Sequence, residues 1–444
     1  MVETRITDDQ PRSYWAATGG PEPDGVAPLA RDRTVEVAVI GGGYTGLSAA
    51  YRLAGTHQVE TAVLEARGIG WGASGRNGGF AMISLGKLTP QERIRKWGLE
   101  IARRLVRLGV EACEAVRELI AKEQIACDAQ PDGWINVAHR PELVSVLQAR
   151  RTLYRDRLDY QDIDFLDRAA LDRDGYLRGP AAHGALRYRT TFGLQPLRYA
   201  RGLATAAMRR GATIYRDSPV ETWTRDGGWH LLATPGGTVR ARNVVVATNG
   251  YTPERLHPFF AGRTMPATSN IIVTRPLRDA EWREVGMLTT QVYSDTRALL
   301  HYWRRLPDNR MLFGGRAGVI NTPASLARRR RWLEGRMAAM LPALAGVGSE
   351  YFWYGNVCMP YDRMPHVHTV DGDRSVAYAL AYTGTGVAMA TYCGGLAADL
   401  TVGLWVPRDT PVTAVGLPRF PLPALRRAYL AGAYLVYGVK DRWT

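Results

Sequence analysis

The chain has 444 residues, 46% hydrophobic and 22% charged, which suits a folded protein with room for two sizeable cores and excludes a disordered or collagen-like chain. Its formal net charge is +15, yet only four of its 57 basic residues are lysines (Lys87, Lys96, Lys122 and Lys440), and no nucleic-acid motif accompanies the charge, so no nucleic-acid partner is expected. The four cysteines form no CxxC pair, the first ten residues are polar, and no apolar run approaches the ~18 residues that span a bilayer; no metal, signal peptide or transmembrane segment is expected, and the cytoplasm is the default location.

Residues 1–32 are rich in Pro and Gly and read as an extended arm, laid on the body by Tyr14 and Trp15. Residues 35–40 are an apolar, β-branched run, expected as a strand buried on both faces. Residues 44–54 hold Ala and Leu without Pro and read as a helix; 59–65 read as a second strand. Apolar positions recur at three- and four-residue steps through 88–127, a helical pattern. A strand at 134–138 and an Arg-rich helix at 141–158 follow, then an irregular, Gly-punctuated stretch at 180–194. A helix at 197–210 leads into strands at 213–215, 218–223, 228–234 and 238–247. Strand signals at 269–275, 299–304 and 311–315 precede a long helix at 325–340, and a strand at 376–382 precedes a helix at 387–403. The tail, 423–444, reads as a packing helix, with a peripheral membrane contact as the alternative.

The first strand, its turn and its helix carry Gly41-x-Gly43-x-x-Gly46. Gly41 permits the tight turn, Gly43 lets a pyrophosphate approach the backbone, and Gly46 lets the helix lie close on the sheet. The helix N-terminus at Tyr44 and Thr45 then offers free N–H groups to phosphate. The second strand ends in Glu65, 19 residues after Gly46, where a carboxylate receives the ribose hydroxyls of an adenosine. Gly72-Ala-Ser-Gly-Arg-Asn-Gly-Gly79 is too glycine-dense for a helix or strand interior and reads as a loop against something flat or anionic. Gly384 and Gly386, just before the helix at 387–403, repeat the logic of the first motif.

These strings, with Leu64-Glu-Ala66, Leu312-Phe-Gly-Gly-Arg316, Asp362-Arg-Met-Pro-His366 and Thr383-Gly-Thr-Gly-Val387, resemble the FAD-dependent amine and amino-acid oxidases of the D-amino-acid oxidase superfamily. The branch containing gamma-glutamylputrescine oxidase is the most similar. The resemblance runs from about Ser13 to Asp441. It implies an α/β flavoprotein of two interleaved domains: a Rossmann-like FAD domain from residues 33–87, 195–261 and 355–444, the last with the C-terminal helix, and a mixed-sheet substrate domain from 88–194 and 262–354. It implies FAD as cofactor. The FAD would be held by Gly41, Gly43, Tyr44, Thr45 and Gly46; by Glu65, Ala66 and Arg67; and by Gly72, Ala73, Ser74, Arg76, Asn77, Gly78 and Gly79. Val220 would hold the adenine, and Thr248, Asn249 and Gly250 end a strand where ligands collect. Gly384, Thr385, Gly386, Val387 and Ala388 would aim a helix N-terminus at the flavin.

The implied chemistry is oxidation of an amine C–N bond by hydride transfer to the flavin, with dioxygen or another acceptor taking the electrons. Arg76 is expected beside the flavin, and His366 either bonds it or only completes a turn. Family members that bind an α-carboxylate use a lysine where this chain has Ala388, or an arginine about where it has Leu306. A free amine without an adjacent carboxylate therefore fits best; the alternative is an amino acid or biosynthetic intermediate anchored by Arg304 or Arg316, and a flavoprotein without turnover is a third reading. Tyr251, Tyr302 and Tyr382, with Trp303 and Trp353, are candidate cage residues for the amine or plain core. The loop at 72–79 has no histidine for a covalent flavin link, and Cys358 reads either as a small buried thiol or as a cysteinyl link, so non-covalent FAD is expected.

Overall fold

The computed structural model describes residues 13–443 apart from 132 and 181, so the outer part of the expected arm lies outside the described residues. The chain is of mixed α/β class, and its described residues build two eight-stranded sheets and one two-stranded sheet. The first runs in the order His366–Val370, Asp373–Leu380, Gly237–Val246, Arg33–Ile40, Thr61–Leu64, Thr213–Tyr215, with Thr222–Asp226 and Trp229–Thr234 folded on as a hairpin. Its four inner pairings are parallel. Parallel strands need cover on both faces, which explains why Val37 to Ile40 are all buried. Helices Tyr44–Gly55, Pro196–Arg209 and Gly386–Thr401 supply that cover on one face.

The second sheet runs Ser349–Met359, Met265–Pro276, Arg310–Arg316, His301–Arg305, Val292–Asp295, Trp134–Val137, Gly184–Tyr188, Ile163–Asp167. All but one of its pairings are antiparallel; Val292–Asp295 and Trp134–Val137 run parallel. Helix Pro323–Met340 packs Leu333 and Met337 onto it. Helix Arg426–Trp443 closes the described chain, and among the described residues no helix is long and apolar enough to cross a membrane.

Three local expectations differ from the structure. The arm is not wholly extended: Tyr14–Thr18 is a helix, because the Ser13 hydroxyl accepts from Ala16 N at 3.0 Å and both Tyr14 and Trp15 are buried. The helical stretch at 88–127 is two helices, Pro90–Trp97 and Leu99–Lys122, broken where Gly98 takes φ +84°. The stretch at 180–194 is not irregular. It holds Gly184–Tyr188, paired on both edges, and Phe192–Gly193, which pairs with Phe80–Ala81. Pairing partners distant in sequence override weak local propensity there.

Candidate functional site

A cavity of ≈ 1580 Å³ runs from the first glycine turn, between the two sheets, to the C-terminal helix. Its first part is built by the strand–turn–helix unit. Gly41 has φ +113°, and a Cβ there would sit 2.9 Å from the Ala247 carbonyl oxygen. Gly43 caps the helix without a side-chain bond. The Ser74 hydroxyl accepts from Tyr44 N at 3.0 Å, fastening the second glycine loop to that helix. Gly46 does not line the cavity; it packs the helix against the Gly41 carbonyl and Val39. Glu65 takes N–H bonds from Gly42 at 2.6 Å and Arg67 at 2.9 Å. Burial pushes its carboxyl up, and those two bonds pull part of the way back. Ala66, Arg67, Val220, Thr248 and Asn249 line the same end, whereas Gly250 is pressed on the Asn356 carbonyl.

The second loop crosses the middle of the cavity, lined by Gly72, Ala73, Ser74, Arg76, Asn77 and Gly78. Gly72 and Gly78 leave room for the Tyr251 and Tyr302 rings, 3.2 and 3.1 Å from where a Cβ would lie. Asn77 staples the loop to itself: Nδ2 donates to Ala73 O and Ser74 O, and Oδ1 accepts from Gly79 N. Gly79 has φ +77° and lies under Leu194, away from the cavity. Arg76 Nε donates to Trp71 O at 2.8 Å, while its Nη1 is buried with no partner among the described residues. Opposite, Gly384 takes φ +98° at the turn into helix Gly386–Thr401. Thr385, Gly386 and Val387 line the cavity; Ala388 is turned into the core. The Tyr382 hydroxyl bonds Thr45 Oγ1 at 2.7 Å, which ties the two helix N-termini together.

Beyond lie Tyr251, Tyr302 and Arg316, all lining the cavity. Of the remaining expected substrate residues, Arg304 is displaced. It is fully buried and clamps the Gly79 and Leu194 carbonyls through Nη1 at 2.8 and 3.0 Å. His366 also stays outside, held by Val415 O and Asp362 Oδ1 at 3.0 Å each. Cys358 lines the cavity, and burial pushes its thiol up to about 12, so it is protonated at neutral pH. Trp353 is committed to the frame, its Nε1 donating to Arg76 O at 3.0 Å.

Residues the sequence did not single out complete this end: Trp71, Lys87, and Tyr434 and Tyr437 of the C-terminal helix. Lys87 had one legible signal, as one of four lysines and close behind the second glycine loop. The C-terminal tyrosines had none.

The cavity wall fits an FAD: a carboxylate and a helix N-terminus at one end, and, further on, Arg76 with a buried, unpartnered Nη1 and a second helix N-terminus. Residues 36–400 match the family described as FAD dependent oxidoreductase (DAO). The chain is 32% identical over 437 residues to the gamma-glutamylputrescine oxidoreductase of Escherichia coli K12, covering 97% of this chain and 98% of that one. It is 30% identical over 421 residues to a probable oxidoreductase OrdL of Rhizobium meliloti, covering 93% of each. Among solved structures it is similar to glycine oxidase from Geobacillus kaustophilus, with a TM-score of 0.71 at 21% identity over 87% of this chain and 99% of that one, a likeness of fold.

Proposed function

The chain belongs to the DAO family of FAD-dependent oxidoreductases, enzymes of amines and amino acids, and on that premise we propose that it oxidises the C–N bond of an amine. The observation that carries the reading is one continuous cavity, joining an adenosine-type end at Glu65 to a chamber walled by Tyr251, Tyr302, Arg316 and Lys87. Bound FAD supplies the two-electron acceptor for the oxidation. It would be held by the cavity-lining residues of the two glycine turns, Glu65 and the second loop.

The chain's own groups then do three things. Arg76 and the helix N-terminus at Gly386 set a positive potential at the middle of the cavity. The charge of Arg316 disfavours an ammonium ion nearby, so the substrate binds as the neutral amine and no dedicated base is required. Trp71, Tyr251 and Tyr302 exclude water from the reacting carbon and orient it. The amine gives up two electrons and two protons and becomes an imine; water then splits the imine into an aldehyde or ketone and ammonia or an amine. Dioxygen, taking both electrons and two protons, would leave as hydrogen peroxide.

A second reading, oxidation of an amino acid or biosynthetic intermediate, is favoured by Arg316, which faces the cavity where Arg304 does not. The name of the Escherichia coli relative makes γ-glutamylputrescine the first compound to try. The test is oxygen uptake with peroxide and carbonyl detection, across polyamines, acylated diamines, N-methyl amines and D- and L-amino acids. An amine that consumes oxygen and yields a carbonyl product supports the reading. Turnover of α-amino acids alone moves it to the second reading, and no turnover with any acceptor sinks both.

A further inference from the structure

Nucleophilic side chains are scarce along the cavity. Cys358 lines it, but its thiol is held protonated by burial. Of the four lysines, Lys96 and Lys122 are exposed and do not line the cavity, and Lys440 lines its C-terminal wall but is exposed to solvent. Lys87 lines the chamber together with Arg316.

The segment that carries Lys87 fixes it there. The Lys87 N–H donates to the Arg363 carbonyl at 3.1 Å, and the Arg93 guanidinium holds the Leu85 carbonyl. Gly86 turns between them at φ +63°. The Lys87 Nζ makes no hydrogen bond and no ion pair among the described residues. The carboxylates lining this end are engaged elsewhere. Glu92 caps helix Pro90–Trp97 through Thr89, Asp295 pairs with Arg297 and His301, and Asp441 accepts from Ala298 N and Leu299 N at 2.7 and 2.9 Å. An ammonium at Lys87 would have no counter-ion and a guanidinium for a neighbour. Burial, and after it the Arg316 charge, holds Lys87 well below its ordinary value, so it stands as a free amine. A lysine desolvated beside another cation is a nucleophile toward carbonyl carbon.

We infer that Lys87 forms a Schiff base with an aldehyde or ketone in this cavity, and so takes up covalently the carbonyl product of the enzyme's own reaction. The source of that carbonyl rests on the proposed function; the reactivity of the amine does not. The Nζ lone pair forms the C–N bond to the carbonyl carbon, the C–O bond breaks, and the oxygen leaves as water with both hydrogens of the amine. Nothing is oxidised or reduced, and hydrolysis reverses the step. The neutral imine adds no charge to a chamber that already holds Arg316. An enzyme built this way is slowed by its own product, because a carbonyl compound held on Lys87 occupies the chamber until water releases it.

The test has two arms, both on the FAD-loaded protein with its flavin content checked. In the first, the protein is incubated with butanal and sodium cyanoborohydride at neutral pH and its peptides are analysed by mass spectrometry. Cyanoborohydride adds hydride to the imine carbon, a proton from water completes a secondary amine, and the reacted lysine is marked. Lys96 and Lys122 are the exposed references within the same molecule. An ordinary lysine is a free amine in only roughly one molecule in 2,500 at neutral pH, so Lys87 should be butylated on the order of 10- to 100-fold faster than either. Labelling of Lys87 no faster than the references overturns the inference. Arg316→Met removes the neighbouring charge and lets the amine hold its proton, so it should slow the Lys87 label several-fold and leave the references unchanged; acceleration would contradict the account.

In the second arm, an amine that the protein oxidises is turned over with cyanoborohydride present and no aldehyde added. The skeleton of the oxidised amine on Lys87 supports the inference. Turnover that leaves Lys87 unmodified removes the Schiff base and leaves the proposed function standing. Fast butylation of Lys87 in protein that oxidises no amine keeps the Schiff-base lysine and removes the function.

Discussion

Arg76→Met separates a residue that holds the cofactor from one that only holds the loop. In the FAD-free protein the change deletes the bond from Nε to Trp71 O, at 2.8 Å, and a guanidinium 5.1 Å from the Trp71 ring centre. Those losses come to about 2–4 kcal/mol. Against them stands relief from burying a cation whose Nη1 has no partner, which costs several kcal/mol. Methionine refills the space of the stem. The two sides nearly cancel, so the FAD-free protein should change by no more than about 1–2 kcal/mol, or roughly 2 °C in Tm for a chain of this length.

If Arg76 helps to hold FAD, Nη1 would take from it the acceptor it lacks, and the variant would forfeit a charge-assisted bond. FAD binding should therefore weaken on the order of 10- to 100-fold. The assay is thermal melting of stripped and FAD-loaded protein, with titration of the stripped protein by FAD. If the stripped variant melts as far below wild type as the loaded one, or if FAD affinity is unchanged, Arg76 is a loop residue and the reasoning fails.

Gly394→Val should drive helix Gly386–Thr401 off helix Tyr44–Gly55. A Cβ there collides with the Thr45 carbonyl and lies 2.8 Å from Ser48 Cβ, so the cost is about 3 kcal/mol or more and the flavin-to-protein ratio should drop; a variant that purifies with full flavin contradicts the packing. Glu123 joins three helices through Tyr51, Arg209 and Arg210. Burial alone would raise its carboxyl, but those three bonds outweigh it and bring it to about 2, below the ordinary 4.5. Its contribution is thus complete above pH 4.5 and lost as pH falls toward about 2, so Glu123→Gln should be less stable than wild type at neutral pH and the gap should close across that acid window; a constant gap in denaturation midpoints would refute it. Non-covalent FAD predicts that acid precipitation releases all FAD to the supernatant, and a yellow pellet would show a covalent link, with Cys358, which lines the cavity, as its site.

What the sequence made legible is local. The first glycine turn, its strand, its helix and Glu65 lie within about thirty residues, and each glycine answers a constraint from its near neighbours. The choice between Arg304 and Arg316 was not local. Tyr302 pairs with Gly314 across the sheet, so Tyr302, Arg304 and Arg316 all point from one face. They differ in how far along that face they lie: Arg316 opens on the cavity, while Arg304 falls under Gly79 and Leu194. That position depends on which strand is neighbour to which, and no window of sequence states it. Tyr434 reaches the site only because helix Arg426–Trp443 crosses the end of the cavity, where Asp441 caps the backbone at Ala298 and Leu299. His366, which the sequence left open between bonding the flavin and completing a turn, has its two ring nitrogens both used within the frame.

The most direct test of the central claim is anaerobic mixing of the purified yellow protein with the amine panel while the flavin absorbance is followed. Rapid bleaching by an amine, with colour returning when an electron acceptor is admitted, is the predicted result. A flavin that no amine or amino acid bleaches, in protein fully loaded with FAD, would contradict the account.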